Sequence, residues 1–214
     1  MSSRQLSLID KFINQLDHGI RTVLSDAPLP DRESPAATIE DQTLNETERS
    51  HALGLMRVNH TGEVCAQALY QGQALTAKLS DVRGQMQEAA DEEIDHLSWC
   101  EDRIKDLGGR SSLLNPAFYA MSFGIGATAG LISDKLSLGF VAATEDQVCA
   151  HLENHLHKLP EADQKSRAVV TEMLADEARH AQTALNAGGY KFPTPVKNTM
   201  TLLSKLMTKA AYRI

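Results

Sequence analysis

The sequence predicts an all-α protein: a four-helix bundle with one long crossover, plus extra N-terminal, crossover and C-terminal helices. Three observations carry this. No segment shows a convincing period-two strand pattern. Capping and breaking residues divide the chain into long segments that read as helices. The signature Glu-x-x-His occurs twice, as Glu93-Ile94-Asp95-His96 and Glu177-Ala178-Arg179-His180, with Glu63 and Glu145 standing 30 and 32 positions upstream of the two motifs. A helix turns about 100° per residue, so positions i and i+3 share a face.

The elements follow in order. Residues 4–24 read as an amphipathic helix, with Ile9, Phe12, Ile13, Leu16, Ile20 and Val23 on one stripe. Residues 25–44 hold Pro28, Pro30 and Pro35 among scattered acids and read as an exposed linker. Residues 1–44 are therefore assigned to an N-terminal helix and Pro-rich linker, and residues 45–214 to one helical domain. Asn45 with Glu48 resembles a capping box, opening a helix to about Leu79. A second helix runs from about Val82 to Leu107 and stops at Gly108-Gly109. Asn115-Pro116 supplies a cap and an N1 proline for a helix within the long connection. Two more helices span Asp134–Leu159, stopped by Pro160, and Glu161–Asn186, ended by Gly188-Gly189. Thr194-Pro195 opens a last helix to the C-terminus.

Composition narrows the function classes. A length of 214 residues with 42% apolar and 23% charged content fits one soluble domain with a sizeable core. Aromatic content of 5% with one Trp leaves little for base stacking, and a net charge of −7 argues against a polyanion, so no nucleic-acid partner is expected. The charge is uneven: Lys191, Lys197, Lys205, Lys209 and Arg213 make the tail from Tyr190 to Ile214 +5, leaving −12 before it. A basic end on an acidic chain suits contact with anionic lipid. Cys65, Cys100 and Cys149 are odd in number and lack zinc spacing, which suggests free thiols in a reducing compartment; Cys65 and Cys149 read as small buried apolar residues. The N-terminus lacks a signal-peptide core, so export is not expected. The uncharged stretch from Ser111 to Ser133 is long enough to cross a bilayer, but its Asn, Pro, four serines and three glycines favour a buried or membrane-resting helix.

The doubled motif carries the chemistry. One glutamate from each of two helices and Glu-x-x-His from each of two others form the ligand set of a ferritin-like di-metal carboxylate site: Glu63, Glu93, His96, Glu145, Glu177 and His180. Four ionised glutamates total −4 and would be very costly to bury unpaired. Two divalent metals cancel them, and two neutral imidazoles complete the set without changing the sum. Carboxylates with a few imidazoles suit iron or manganese, and the bundle context favours two Fe ions per chain; the ligands alone leave zinc open. A single Glu-x-x-His is usually a solvated surface pair, whereas two copies with matched upstream glutamates are far rarer by chance. Ligating imidazoles usually donate their outer N–H to a carboxylate, which nominates Asp176 and Asp146. His60 and His151 are read as supporting or proton-transfer groups, and His18, His51, His155 and His157 as surface residues.

The segments Arg57-Val58-Asn59-His60-Thr61-Gly62-Glu63, Asp91-Glu92-Glu93-Ile94-Asp95-His96 and Asp176-Glu177-Ala178-Arg179-His180-Ala181 resemble the demethoxyubiquinone hydroxylase family of ubiquinone biosynthesis. The resemblance covers about residues 45–189, and the run ending at Glu63 is its most specific part. It implies a di-iron monooxygenase that uses O2 to hydroxylate the ring of a polyprenyl demethoxyubiquinone or its quinol. It also implies electrons from a reduced nicotinamide or from the quinol, and a complex with other ubiquinone-biosynthesis proteins. No G-x-G-x-x-G follows a strand, so no dinucleotide fold is encoded.

A polyprenyl quinone resides in the bilayer, so a peripheral location on the cytoplasmic face of the inner (plasma) membrane is expected. Two segments offer the contact: the C-terminal helix, with Val196, Met200, Leu203, Met207 and Ala210 on one stripe and lysines beside it, and the apolar stretch 113–132. The alternative function is a ferritin-like iron-binding or iron-storage protein, or a peroxide-handling di-metal protein.

Overall fold

The computed structural model describes residues 30–214 together with Gly19 and Thr22; apart from those two positions, the helix expected over 4–24 and the linker up to residue 29 lie outside the described residues. The described residues form α1 (Glu46–Thr76), α2 (Ser80–Asp106), α3 (Asn115–Ile132), α4 (Asp134–Lys158), α5 (Gln164–Asn186) and α6 (Thr194–Ala211), with no strand among them. Short connections join α1 to α2 and α4 to α5, and α3 lies in the long crossover between the two pairs.

Local signals explain most boundaries. The Asn45 side chain accepts from the Glu48 amide at 3.0 Å while Glu48 accepts from the Asn45 amide at 3.0 Å, a reciprocal capping box that starts α1. Gly108, with φ of 76°, ends the α2 turn, and Gly188, with φ of 97°, does the same after α5. Ser133 caps α4 by accepting from the Leu136 amide. Two expected starts are corrected. Helix α5 begins at Gln164 rather than Glu161, because Asp163 accepts from the Ser166 amide and thereby becomes the cap. Asn115 is not a cap: it is the first residue of α3, and its buried side chain reaches α1, accepting from Thr61 Oγ1 at 2.9 Å and meeting His60 Nδ1 at 3.2 Å.

The core comes in two parts. Met56, Trp99, Cys100, Ile104, Leu152, Val170 and Met173 fill one end, and Tyr70, Met86, Leu138 and Val141 fill the other. The carboxylate-bearing segments lie along the same helices that carry these two clusters. Helix α3 lies directly against α1, because Gly72, Gly126 and Gly130 leave no side chain between the two helices. No helix among the described residues is long and apolar enough to cross a membrane.

The linker expected over 25–44 is largely exposed in its described part, as its composition predicts, but it is tied to the bundle as a strap. Ala36 joins the core, Arg32 pairs with Asp95 and Asp176, and Asp41 pairs with Arg103 and Lys165. The proline content announced an irregular backbone correctly, but it carried no information about what that backbone would touch.

Candidate metal centre

Four helices deliver the six residues singled out by their spacing. Helix α1 supplies Glu63, α2 supplies Glu93 and His96, α4 supplies Glu145, and α5 supplies Glu177 and His180; all six are buried. Glu63, Glu93, His96 and Glu177 offer donor atoms that lie within 4.8 Å of one another. His96 Nδ1 stands 3.0 Å from Glu93 Oε2, 3.1 Å from Glu177 Oε1 and 4.0 Å from Glu63 Oε2. His180 Nδ1 closes the group from the other side, 3.3 Å from Glu93 Oε1 and 3.3 Å from Glu177 Oε2. Glu145 lies outside the four-residue group and its carboxylate accepts from the Tyr70 hydroxyl, yet it feels the charges of Glu177 and Glu93.

The electrostatics reveal what the arrangement lacks. Burial, reinforced by repulsion from Glu93 and Glu177, pushes the Glu63 carboxyl well above its usual range. Burial and the charges of Glu177 and Glu93 do the same to Glu145. Burial opposes charge on the imidazoles too, but the facing carboxylates outweigh it, raising His96 and bringing His180 up to about 12. Burial would also raise Glu93, but His96 and His180 overcome it and hold that carboxyl low. The cluster therefore attracts positive charge, and protons occupy places that cations could take.

Donor orientation makes the same point. His96 Nε2 points outward to Asp176 Oδ2 at 2.9 Å, and His180 Nε2 points outward to Glu92. A ring that donates from Nε2 turns the lone pair of its neutral Nδ1 inward, toward the carboxylates. Glu145 Oε2 is buried and accepts no hydrogen bond, and Glu93 Oε1 and Glu177 Oε1 face the imidazole nitrogens of His180 and His96. Acceptor-rich, donor-poor and four-fold acidic, the site suits a pair of hard divalent cations. Glu63, Glu93, His96 and Glu177 converge as a metal site would require, His180 closes on Glu93 and Glu177, and Glu145 is turned toward Tyr70.

Beside the cluster lies an apolar cavity of about 520 Å³ between α1, α3, α4 and α6. Glu63 forms part of its wall, with Leu69, Phe118, Met121, Phe140 and Met207 among its apolar lining and Asn59, Thr144, Gln147 and His151 as its polar points.

A model of the family described as ubiquinone biosynthesis protein COQ7 matches residues 50–211. The chain belongs to this family. Proteins called 3-demethoxyubiquinol 3-hydroxylase from Ectopseudomonas mendocina, Azotobacter vinelandii and Stutzerimonas stutzeri are 61%, 62% and 60% identical to it over 213 residues, covering 100% of the chain and 99% of each relative. Among solved structures, the bacterioferritin-related dodecameric thioferritin of Bacteroides fragilis aligns with a TM-score of 0.52 at 22% identity, over 63% of this chain and 82% of that one. The fold is a ferritin-like helical bundle.

Around this COQ7-family centre, several sequence readings need correction. Asp176 does accept from an imidazole, but Asp146 does not: it lies one residue round the helix from Glu145 and pairs with Lys197 at 2.6 Å on the surface. Glu92 takes the outer nitrogen of His180 instead. His155 is buried, not superficial, because it shares a helix face with Leu152 and Leu159; its Nδ1 meets Asn59 Oδ1 at 2.6 Å, and burial lowers it to about 4. His51 is half-buried against the Tyr212 hydroxyl. His60 is buried on Asn115, and burial lowers it to about 4 as well, while His151 faces the cavity and Ser204. Cys65 and Cys149 are half-buried, and Cys65 lines the cavity. Tyr70 was missed, although its position seven after Glu63 places it two turns along the same face.

Proposed function

We infer that the chain is a 3-demethoxyubiquinol 3-hydroxylase working with two iron ions, and that it transfers one oxygen atom of O2 to the ring of a polyprenyl quinol. The observation that carries this is the apolar cavity with Glu63 in its wall: it offers a planar ring and part of an isoprenoid tail a dry place beside the carboxylate cluster. The iron-storage or peroxide-handling alternative is disfavoured by the relatives, 60–62% identical over the whole chain, that are called 3-demethoxyubiquinol 3-hydroxylase.

The balance of the reaction is simple. One ring C–H becomes C–OH, the second oxygen atom leaves as water, and two electrons and two protons are consumed. The electrons come from a reduced nicotinamide or from the quinol itself. Glu63, Glu93, His96, Glu145, Glu177 and His180 would hold the irons, which supply the redox chemistry that activates O2. The chain does the rest. Phe118, Leu69 and Phe140 offer the ring an apolar wall, and Asn59, Gln147 and His151 offer polar contacts for the ring oxygens. Mass analysis of a demethoxyquinol incubated with iron-loaded protein, O2 and a reductant should show a gain of one oxygen atom. Unchanged substrate with a competent reductant defeats the reading.

The enzyme meets its substrate at the cytoplasmic face of the inner membrane. Leu131 and Ile132 on α3 and Leu202, Leu203 and Leu206 on α6 are exposed, with Lys205 and Lys209 beside the latter. Leu203 and Leu206 also border the cavity, with Met200 and Met207 deeper on the same helix, so the mouth of the cavity opens beside this apolar ridge. An apolar ridge flanked by lysines suits the interface of an anionic bilayer. The wild type should float with anionic vesicles, and Leu131→Glu with Leu202→Glu should abolish flotation while leaving the melting temperature unchanged. No flotation by the wild type, or equal flotation by the double variant, would refute membrane docking.

A further inference from the structure

We propose that Arg32, carried by the strap that precedes the bundle, is a positioning residue for the metal centre: it holds Asp176 on His96 and so fixes where His96 Nδ1 points. The inference rests on the di-metal reading above. It concerns a residue outside the span matched by the family model, residues 50–211.

The geometry is that of a clamp. Arg32 Nη2 donates to Asp176 Oδ2 at 2.7 Å, the same oxygen that accepts from His96 Nε2 at 2.9 Å. Arg32 Nε donates to Asp95 Oδ2 at 2.6 Å. The other Asp95 oxygen accepts the Asp31 and Arg32 amides at 2.7 and 3.3 Å, so the strap backbone is tied to the carboxylate its own side chain grips. The guanidinium carbon sits 4.8 Å above the Trp99 ring centre, and Trp99 Nε1 donates to the Arg32 carbonyl at 3.3 Å. Trp99 in turn lies 5.5 Å, centre to centre, from the His96 ring. A planar fork with fixed donor directions suits this task better than a flexible ammonium.

The charges require such a clamp. Asp95 and Asp176 place two buried carboxylates behind a cluster that already holds three glutamates, with buried Glu145 close by. Asp176 keeps a second partner, Arg179 Nη1, at 2.8 Å from Oδ1. Loss of Arg32 would therefore not strand Asp176; it would release the oxygen that faces His96 and let the carboxylate turn toward Arg179. The other imidazole feels this change only at second hand: His180 rests on Glu92, which Arg32 does not touch and which reaches Asp176 only through Arg179, at 3.5 Å from Glu92 and 2.8 Å from Asp176. The effect should fall on the metal that His96 helps to hold.

The test uses the full chain loaded with ferrous iron, or with cobalt(II) as a spectroscopic stand-in, and follows release of metal to a chelator. Outer carboxylate partners of ligating histidines are worth about 10- to 100-fold in metal affinity. Arg32→Gln, which acts through such a partner, should release one of its two metals about tenfold faster than the wild type. It should also alter the cobalt absorption bands and lower kcat with KM for the quinol unchanged. Arg32→Lys should recover part of the loss. Asp41→Asn, which loosens the strap at Arg103 and Lys165 away from the histidines, should release both metals at the wild-type rate. If Arg32→Gln retains metal like the wild type, or if Asp41→Asn speeds release equally, the proposal is overturned. A wild type that binds no metal overturns the hydroxylase reading along with it. A wild type that holds two metals and hydroxylates, matched by Arg32→Gln, overturns the proposal alone.

Discussion

Glu177→Ala and Glu93→Ala should each fold yet fail to keep the pair of metals proposed above. Both carboxylates lie between the two imidazoles: Glu177 is 3.1 Å from His96 Nδ1 and 3.3 Å from His180 Nδ1, and Glu93 is 3.0 and 3.3 Å from the same atoms. Removing either takes away a charge that both halves of the site share. Neutralisation then no longer balances, and two divalent cations would face three carboxylates. Loss of an outer partner alone costs about 10- to 100-fold in metal affinity or activity, so loss of a shared carboxylate should exceed about 100-fold. Metal analysis after desalting should find less than the wild-type complement, and hydroxylation should fall with it. Full occupancy and full turnover in either variant would remove that residue from the ligand set. Helical circular dichroism separates this outcome from unfolding.

Gly126→Val attacks the cavity and spares the metals. A Cβ at Gly126 would stand 2.2 Å from the Leu69 carbonyl oxygen and 3.0 Å from its carbon, and one at Gly72 would stand 2.4 Å from the Phe123 oxygen. These neighbours are backbone, so they cannot swing aside; α3 itself must move off α1. Overpacking of this kind costs about 1–3 kcal/mol, which for a domain of this size lowers the Tm by about 2–4 °C per kcal/mol. Phe118, Met121, Ser122 and Ile125 travel with α3 and form one wall of the cavity. KM for the quinol should rise while iron content stays at the wild-type level. Gly124→Ala is the control, because a Cβ there meets nothing within 4 Å on an exposed part of the same helix. It should stabilise by about 0.4–1 kcal/mol through lower unfolded-state entropy. A Gly126→Val protein with wild-type Tm and KM would show that α3 does not seat the substrate chamber.

Much of the architecture could be read from sequence because it is local. Capping chemistry at Asn45 and Ser133, glycines after α2 and α5, and helical periodicity depend on neighbours a few residues away. That the six carboxylates and imidazoles share the interior was legible for a related reason: Glu-x-x-His at turn spacing puts both side chains on one helix face, and that arithmetic leaves a trace in the chain. Boundaries went astray where a side chain had a distant partner. Asn115 looked like a cap, but Thr61 and His60 claim it. His155 looked like a surface histidine, but helix register turns it inward toward Asn59.

The sequence by itself determined the helices, the doubled Glu-x-x-His and the charge problem that four buried glutamates pose, because each follows from spacing and composition along one chain. Tertiary structure alone decided which groups touch the candidate ligands: Asp176 and not Asp146, Glu92 behind His180, Tyr70 on Glu145, and Arg32 reaching back from the strap to Asp176. It also decided that α3 and α6 border an open apolar cavity that reaches Glu63. The physical reason is common to all of these. Such contacts join residues tens of positions apart, and packing, rather than any periodicity in the sequence, sets which of them meet.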